Sequence, residues 1–180
     1  MNGSKEMEDV SSSERHAIEV LVADDDSEIR ELLAEFFRER CLRVATTPDG
    51  RAAVAALARS QGHYTLVLAD IAMPGADGFA VLMAAREANP SAYVVMMTGY
   101  ASLDSAVTAV RLGAQDYLTK PFSLGQLDVI LQRASARLAA EATAAGRAPR
   151  ELEGIDARLT AIERTLAEIQ TVLSGRLPPA

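Results

Sequence analysis

Cysteine is almost absent from this 180-residue chain. Cys41 stands alone, so no internal disulfide can form, and no Cys/His cluster has the spacing of a zinc site. A reducing compartment follows. Tryptophan is missing, and the two histidines, His16 and His63, have no partner at metal-binding or catalytic spacing, which places both on the surface. No run of about 18 apolar residues is available to span a membrane. The polar, acidic start "MNGSKEMEDVSSSERH" lacks the apolar stretch of a signal peptide. These absences predict a soluble, cytoplasmic protein with no membrane partner. Glycine-rich phosphate loops of the G-x-G-x-x-G or P-loop form are missing too, which argues against ATP binding. With a net charge of −7 and no basic patch, direct nucleic-acid binding is not expected.

What is present points to one domain with a short appendage. Hydrophobic residues make up 49% of the chain, enough for a sizeable core. From Ala17 onward, short apolar runs alternate with longer amphipathic ones, the pattern of βα units around a parallel sheet. Strands are predicted near Ile18–Ala23, Leu42–Thr46, Leu66–Ala69, Tyr93–Met97 and Asp116–Leu118. Helices are predicted near Glu28–Arg40, Asp49–Ser60, Phe79–Ala88 and Ser102–Leu112, with a fifth starting near Leu124. Asp26 or Ser27 can cap the first helix, Pro48-Asp49-Gly50 opens the second, and Asn89-Pro90 closes the third. Met96 and Met97 read as core filler within the fourth strand. Strands three and four are continuous apolar runs, as in the middle of a sheet covered on both faces. The expectation is a (βα)5 three-layer sandwich.

In open parallel sheets, function gathers at the carboxyl ends of the strands, at the switch point in strand order. Asp24, Asp25 and Asp26 follow the first strand, Asp70 the third, Thr98 the fourth and Lys120 the fifth. Taken singly, each Asp is most simply a solvated loop acid. Gathered at one edge, Asp24, Asp25 and Asp70 repel one another, and Mg2+, which prefers oxygen ligands, removes the conflict. A hydroxyl and an ammonium facing the acids are what a phosphoryl group needs. Asp70 then becomes a candidate nucleophile, since carboxylates form acyl phosphates.

The segments "VLVADDD", "LVLADIAMPGADGF" and "MMTGYASLDSAVTAVRLGAQDYLTKPF", in this order and spacing, resemble the receiver domain of two-component response regulators, most of all the nitrogen-regulator type. The likeness runs from about Ile18 to Leu138. It implies a flavodoxin-like doubly wound parallel sheet of order 2-1-3-4-5 and phosphorylation of Asp70 by a sensor histidine kinase. It further implies Asp25 as a direct Mg2+ ligand, Asp24 acting largely through water, and the backbone carbonyl of Ala72 as another ligand. Thr98 and Tyr117 would be the switch pair, Lys120 the partner of the phosphoryl group, and Pro121 the residue after a cis peptide bond. Thr65 and Ala69 depart from the commoner Asp and Leu, away from the chemistry. Ala72 and Tyr100 stand at the positions that tune loss of the phosphoryl group: Ala72 leaves the approach open, whereas Tyr100 is expected to cover it in part. The protein would be no enzyme beyond catalysing its own phosphorylation and dephosphorylation.

The boundaries expected are a disordered segment at 1–16, the receiver at 17–140, a linker at 141–150, a coiled-coil helix at 151–175 and a disordered tail at 176–180. Gly146 and Pro149 read as a helix stop and restart. Leu152, Ile155, Leu159, Ile162, Leu166, Ile169 and Leu173 then follow at alternating steps of three and four, with Leu at a and Ile at d. Arg158 and Glu163 would attract across a parallel pair. This pattern predicts a homo-oligomer through 151–173, of more than two strands. The alternative is an amphipathic helix folded back on the receiver. From Ala139 to Ala180 there are five Arg, no Lys and six acids, and about forty residues are too few for a winged helix or an ATPase module. The output expected is protein contact, with no DNA-binding domain and a downstream partner that the sequence does not name. Two other functions compete. One is an oligomeric scaffold whose receiver is never phosphorylated; the other is a metal-dependent phosphatase, which would want an acid where Ala72 stands.

Overall fold

The computed structural model describes residues 18–145. Strands and helices alternate: β1 Glu19–Ala23, α1 Ser27–Glu39, β2 Arg43–Thr47, α2 Gly50–Arg59, β3 Leu66–Asp70, α3 Gly78–Ala88, β4 Tyr93–Thr98, α4 Leu103–Arg111, β5 Asp116–Thr119 and α5 Leu124–Ala145. All strand pairs are parallel, and the sheet order is β2-β1-β3-β4-β5. The flavodoxin-like fold read from the sequence is therefore the fold observed.

Period-two alternation along each strand divides the apolar side chains between two cores. On one face Leu21, Val67, Ala69, Val94 and Met96 pack with Ala53 and Leu57 of α2 and Val81, Leu82 and Ala85 of α3. On the other, Val20, Val22, Leu66, Leu68, Val95 and Met97 meet Leu33, Phe36 and Phe37 of α1 and Leu127, Ile130 and Ala134 of α5. Every residue of β3 and β4 is buried, which is why these strands carry no polar residue until their last position. Met96 and Met97 are fully buried, His63 is exposed, and Cys41 is an exposed free thiol.

The helix starts follow the capping chemistry of the sequence. Asp26, rather than Ser27, caps α1, accepting hydrogen bonds from the N–H groups of Glu28 and Ile29. Asp49 caps α2, Asp77 caps α3, and Ser102 with Ser105 forms a capping box on α4. Asn89 ends α3.

Several boundaries differ from expectation by one residue. The strands β3 and β4 run one residue further, to Asp70 and Thr98, because both polar residues still complete ladder pairs, with Met97 and Thr119. Strand β2 is shifted by one residue to Arg43–Thr47, in register with β1 from Glu19↔Arg43 to Ala23↔Thr47. Helix α5 runs to Ala145 through an alanine-rich stretch with high helix propensity. The predictions made for 1–16, His16, Gly146–Pro149, 151–175 and 176–180 fall outside the described residues, as does the coiled-coil assembly through 151–173. No helix among the described residues is long and apolar enough to cross a membrane.

Phe37, fully buried between α1 and the sheet, tests how much stability this layer holds. Phe37→Ala is expected to cost about 3 to 5 kcal/mol of a total near 5 to 15. Urea unfolding should show a lower midpoint at an unchanged slope.

Candidate functional site

The register of the sheet brings the polar residues together. Ala23 pairs with Ala69, so the next residues of β1 and β3, Asp24 and Asp70, emerge side by side at the carboxyl edge. Thr98 closes β4 opposite Thr119, and the Lys120 N–H donates to the Thr98 carbonyl at 2.8 Å. The sheet order β1-β3-β4-β5 thus brings residues scattered along the chain to one edge.

Lys120 is its hub. The ammonium lies 2.7 Å from Asp24 Oδ2 and 2.5 Å from Asp70 Oδ2. Asp24 is wholly buried and Asp70 is 5% exposed, whereas Asp25 stands in solvent beside them. The second oxygen of each buried acid meets backbone: Asp26 N–H donates to Asp24 Oδ1 at 3.0 Å, and Ala72 N–H to Asp70 Oδ1 at 3.1 Å. Burial raises the Asp24 carboxyl above the ordinary carboxylate range; Lys120 and the Asp26 amide offset part of this, and the charge of Asp70 adds to it. Burial by itself would lower the Lys120 pKa, but its hydrogen bonds and attraction to Asp24 and Asp70 prevail and raise it.

The switch candidates lie on the next two strands. Thr98 Oγ1 accepts from the Tyr100 N–H at 3.0 Å and donates to the Tyr100 carbonyl at 3.2 Å. Both bonds are to the Tyr100 backbone; Tyr100 is 94% exposed, so its side chain does not pack over Asp70, contrary to expectation. Tyr117 is half-buried, its hydroxyl 2.8 Å from Ser105 Oγ on α4. Burial raises the Tyr117 pKa, and hydrogen bonding with Ser105 and Thr98 partly offsets the rise. Beyond β5, the Lys120–Pro121 peptide bond is cis.

Asp24, Asp25 and Asp70 each offer an oxygen within 4.8 Å of the others, a set able to hold a metal ion. The donors fit a hard divalent cation. Three carboxylates against one ammonium leave two negative charges, and among the described residues the buried Asp24 Oδ2 has beside it only the Lys120 ammonium, which it shares with Asp70. Ala72 is exposed at the mouth of the cluster.

Sequence reasoning missed several contributors. Arg30 on α1 donates to the Asp24 carbonyl at 2.7 Å, and Thr47 of β2 accepts from the Asp24 N–H at 3.2 Å. Ser105 also went unnoticed, although its place three residues after Ser102 is a capping-box spacing. Arg30 and Thr47 act through geometry between distant segments and carry no local signal.

Comparison with known proteins agrees with this arrangement. A profile of the response regulator receiver domain matches residues 20–132. The DNA-binding transcriptional regulator NtrC of Salmonella typhimurium is 39% identical over 115 residues, which are 64% of this chain and 24% of that protein. The present chain thus spans about a quarter of the length of that regulator. Among solved structures, the Vibrio cholerae chemotaxis protein CheY4 aligns with a TM-score of 0.60 at 28% identity, over 65% of this chain and 98% of that one. A response regulator from Burkholderia pseudomallei, solved with a phosphorylated aspartic acid and a calcium ion, aligns with a TM-score of 0.59 at 26% identity, over 85% of this chain and 86% of that one. By its sheet order, its clustered acids and this continuous sequence match, the chain belongs to the receiver domain family of two-component response regulators.

Proposed function

We propose that the chain accepts a phosphoryl group on Asp70 from a sensor histidine kinase in a Mg2+-dependent reaction and passes the resulting change to a protein partner. The observation that carries this is the single ammonium of Lys120 bridging two buried carboxylates at the ends of adjacent strands. Burying such a cluster is weak support for stability, since desolvation of the charges offsets their attraction. A chemical role accounts for its presence better than a structural one. The Burkholderia relative is titled as carrying a phosphorylated aspartic acid and a calcium ion, which supports the same assignment.

In the proposed transfer, an Asp70 carboxylate oxygen attacks the phosphorus of a phosphoimidazole. The new O–P bond forms as the N–P bond breaks, and the imidazole leaves as a neutral ring that keeps the proton on its other nitrogen. Asp70 becomes an acyl phosphate. Lys120, already against Asp70, follows the charge onto the phosphoryl oxygens, and the Ala72 N–H remains as a donor at the same edge. Asp24, Asp25, Asp70 and the Ala72 carbonyl would hold Mg2+, which when bound neutralises the acid cluster and the transferring oxygens.

Thr98 would donate its hydroxyl to the phosphoryl group at the expense of its tie to Tyr100, and Tyr117 would shift with it. A population already present in the unmodified protein is thereby favoured. The exposed apolar side chains Leu103, Val107 and Val110 on α4, next to this pair in the fold, support a protein contact as output. Toward other molecules the protein is not an enzyme; it catalyses only gain and loss of its own phosphoryl group.

Incubation with Mg2+ and a small acyl-phosphate donor should add one phosphoryl group, detected by mass, and Asp70→Asn should add none. Undiminished labelling of Asp70→Asn would refute the assignment. Lys120→Met should slow labelling by about 100-fold, measured below the unfolding midpoint of the variant, which the loss of the shared counter-charge lowers.

Asp24→Asn should raise the thermal unfolding midpoint in metal-free buffer, since it removes a charge that burial disfavours. Because the folded-state pKa of Asp24 is raised above 3.8, its charge lowers stability as pH rises through that window. The gain from Asp24→Asn should therefore grow over the same window and then level off. Calorimetry from acid to neutral pH measures it.

A further inference from the structure

The loop between β3 and α3 carries Ala72, and a neighbouring helix start with no polar group at the contact helps to shape it. Gly50 opens α2 and is buried. A Cβ placed on it would lie 1.9 Å from the Ala76 carbonyl oxygen and 2.7 Å from its carbon, well inside the 3.0 Å that Cβ atoms essentially never breach. Both atoms are backbone, so no rotamer relieves the clash. Arg51, the next residue, lays its stem along Gly75, with Cγ and Cδ at 3.3 and 3.4 Å from where a Gly75 Cβ would be. Gly75 itself has φ +86, a left-handed conformation that favours glycine.

The same loop is closed at its ends. Ile71 N–H donates to the Met97 carbonyl at 2.8 Å, and Gly78 N–H to the Ile71 carbonyl at 3.1 Å. A Cβ on Gly78 would stand 2.3 Å from the Asp70 carbonyl oxygen, so α3 abuts the Asp70 peptide directly. Met73 is sunk in the core. Between those ends Ala72, Pro74, Gly75 and Asp77 are exposed, and a displacement of Ala76 is shared among them. The turn before α2 reaches the other half of the site as well, since the Thr47 carbonyl accepts from Asp24 N–H.

We infer that Gly50 is a positioning residue for the cation site: its missing side chain lets the first turn of α2 seat the Ala76 peptide, which fixes where the Ala72 carbonyl stands relative to Asp25 and Asp70. This rests on the proposed part of the Ala72 carbonyl in holding Mg2+. Gly50 touches neither the cation nor the phosphoryl group, so its replacement acts on cation affinity and leaves the transfer step intact once the site is filled.

The test titrates Mg2+ into the full chain and into Gly50→Ala, Arg51→Ala and Leu57→Ala, reading amide NMR shifts together with the rate of labelling by an acyl-phosphate donor. Leu57, enclosed on the core side of α2 two turns from Gly50, supplies a control that loosens the helix away from the Gly50–Ala76 contact. Half-saturating Mg2+ should rise about tenfold for Gly50→Ala and about threefold for Arg51→Ala, with maximal labelling rates within about twofold of the parent. Leu57→Ala should keep the parental half-saturation. Parental Mg2+ affinity in both loop-contact variants, or an equal shift in Leu57→Ala, overturns the inference; if Gly50→Ala does not fold, Arg51→Ala decides it. A parent chain that binds no Mg2+ overturns the functional proposal itself, an outcome distinct from these.

Discussion

The ammonium of Lys120 between Asp24 and Asp70 is the constraint around which the rest of the molecule is arranged. Two carboxylates buried a few ångströms apart repel, and in a low-dielectric setting that repulsion is strong. A point charge on a flexible stem can serve both acids at once. It can do so only if β1, β3 and β5 hold their ends at fixed heights. The ladder from β1 to β5 supplies those heights, and the tie from Lys120 N–H to Thr98 carries them past the last strand.

Burial on both faces of the central strands makes this edge stiff. Layers of Leu, Val and Met against four helices allow little sliding of β3 against its neighbours, so Asp70 has few ways to move. The flanking polar contacts extend that order outward. Arg133 pairs with Asp116 at 3.0 Å and Arg40 with Asp128 at 2.8 Å, tying α5 to β5 and to α1. These exposed or half-exposed pairs add little stability. They orient α5 against β5 and α1.

Much of this was legible in the sequence because it is written in short-range patterns. Apolar runs such as Leu66–Ala69 gave the central strands, Asp49 and Asp77 gave helix starts, and the position of each acid at a strand end gave the cluster. Long-range geometry was not legible. Asp70 and Thr98 belong inside their strands because of partners more than twenty residues away. The bonds between the Thr98 hydroxyl and the Tyr100 backbone use one lone pair and the proton of that hydroxyl, which no pattern encodes. Likewise the value of Gly50 lies in an atom it lacks, and only the path of another loop makes that absence matter.

The contact of Tyr117 with Ser105 has a consequence in the bookkeeping of a single proton. Ser105 Oγ donates to the Ser102 carbonyl at 2.9 Å, receives the Ser102 N–H at 3.3 Å, and faces the Tyr117 hydroxyl at 2.8 Å. A serine hydroxyl has one hydrogen and two lone pairs, and the Ser102 hydroxyl also donates to it at 2.9 Å, so a phenol that donates competes with the two Ser102 donors for those lone pairs. Ring and helix start therefore share one small valence. A tyrosine that swings away returns a lone pair to the first turn of α4, and a frayed first turn returns a hydrogen to the tyrosine. The aromatic ring and the helix start are thus coupled through one serine oxygen that both use.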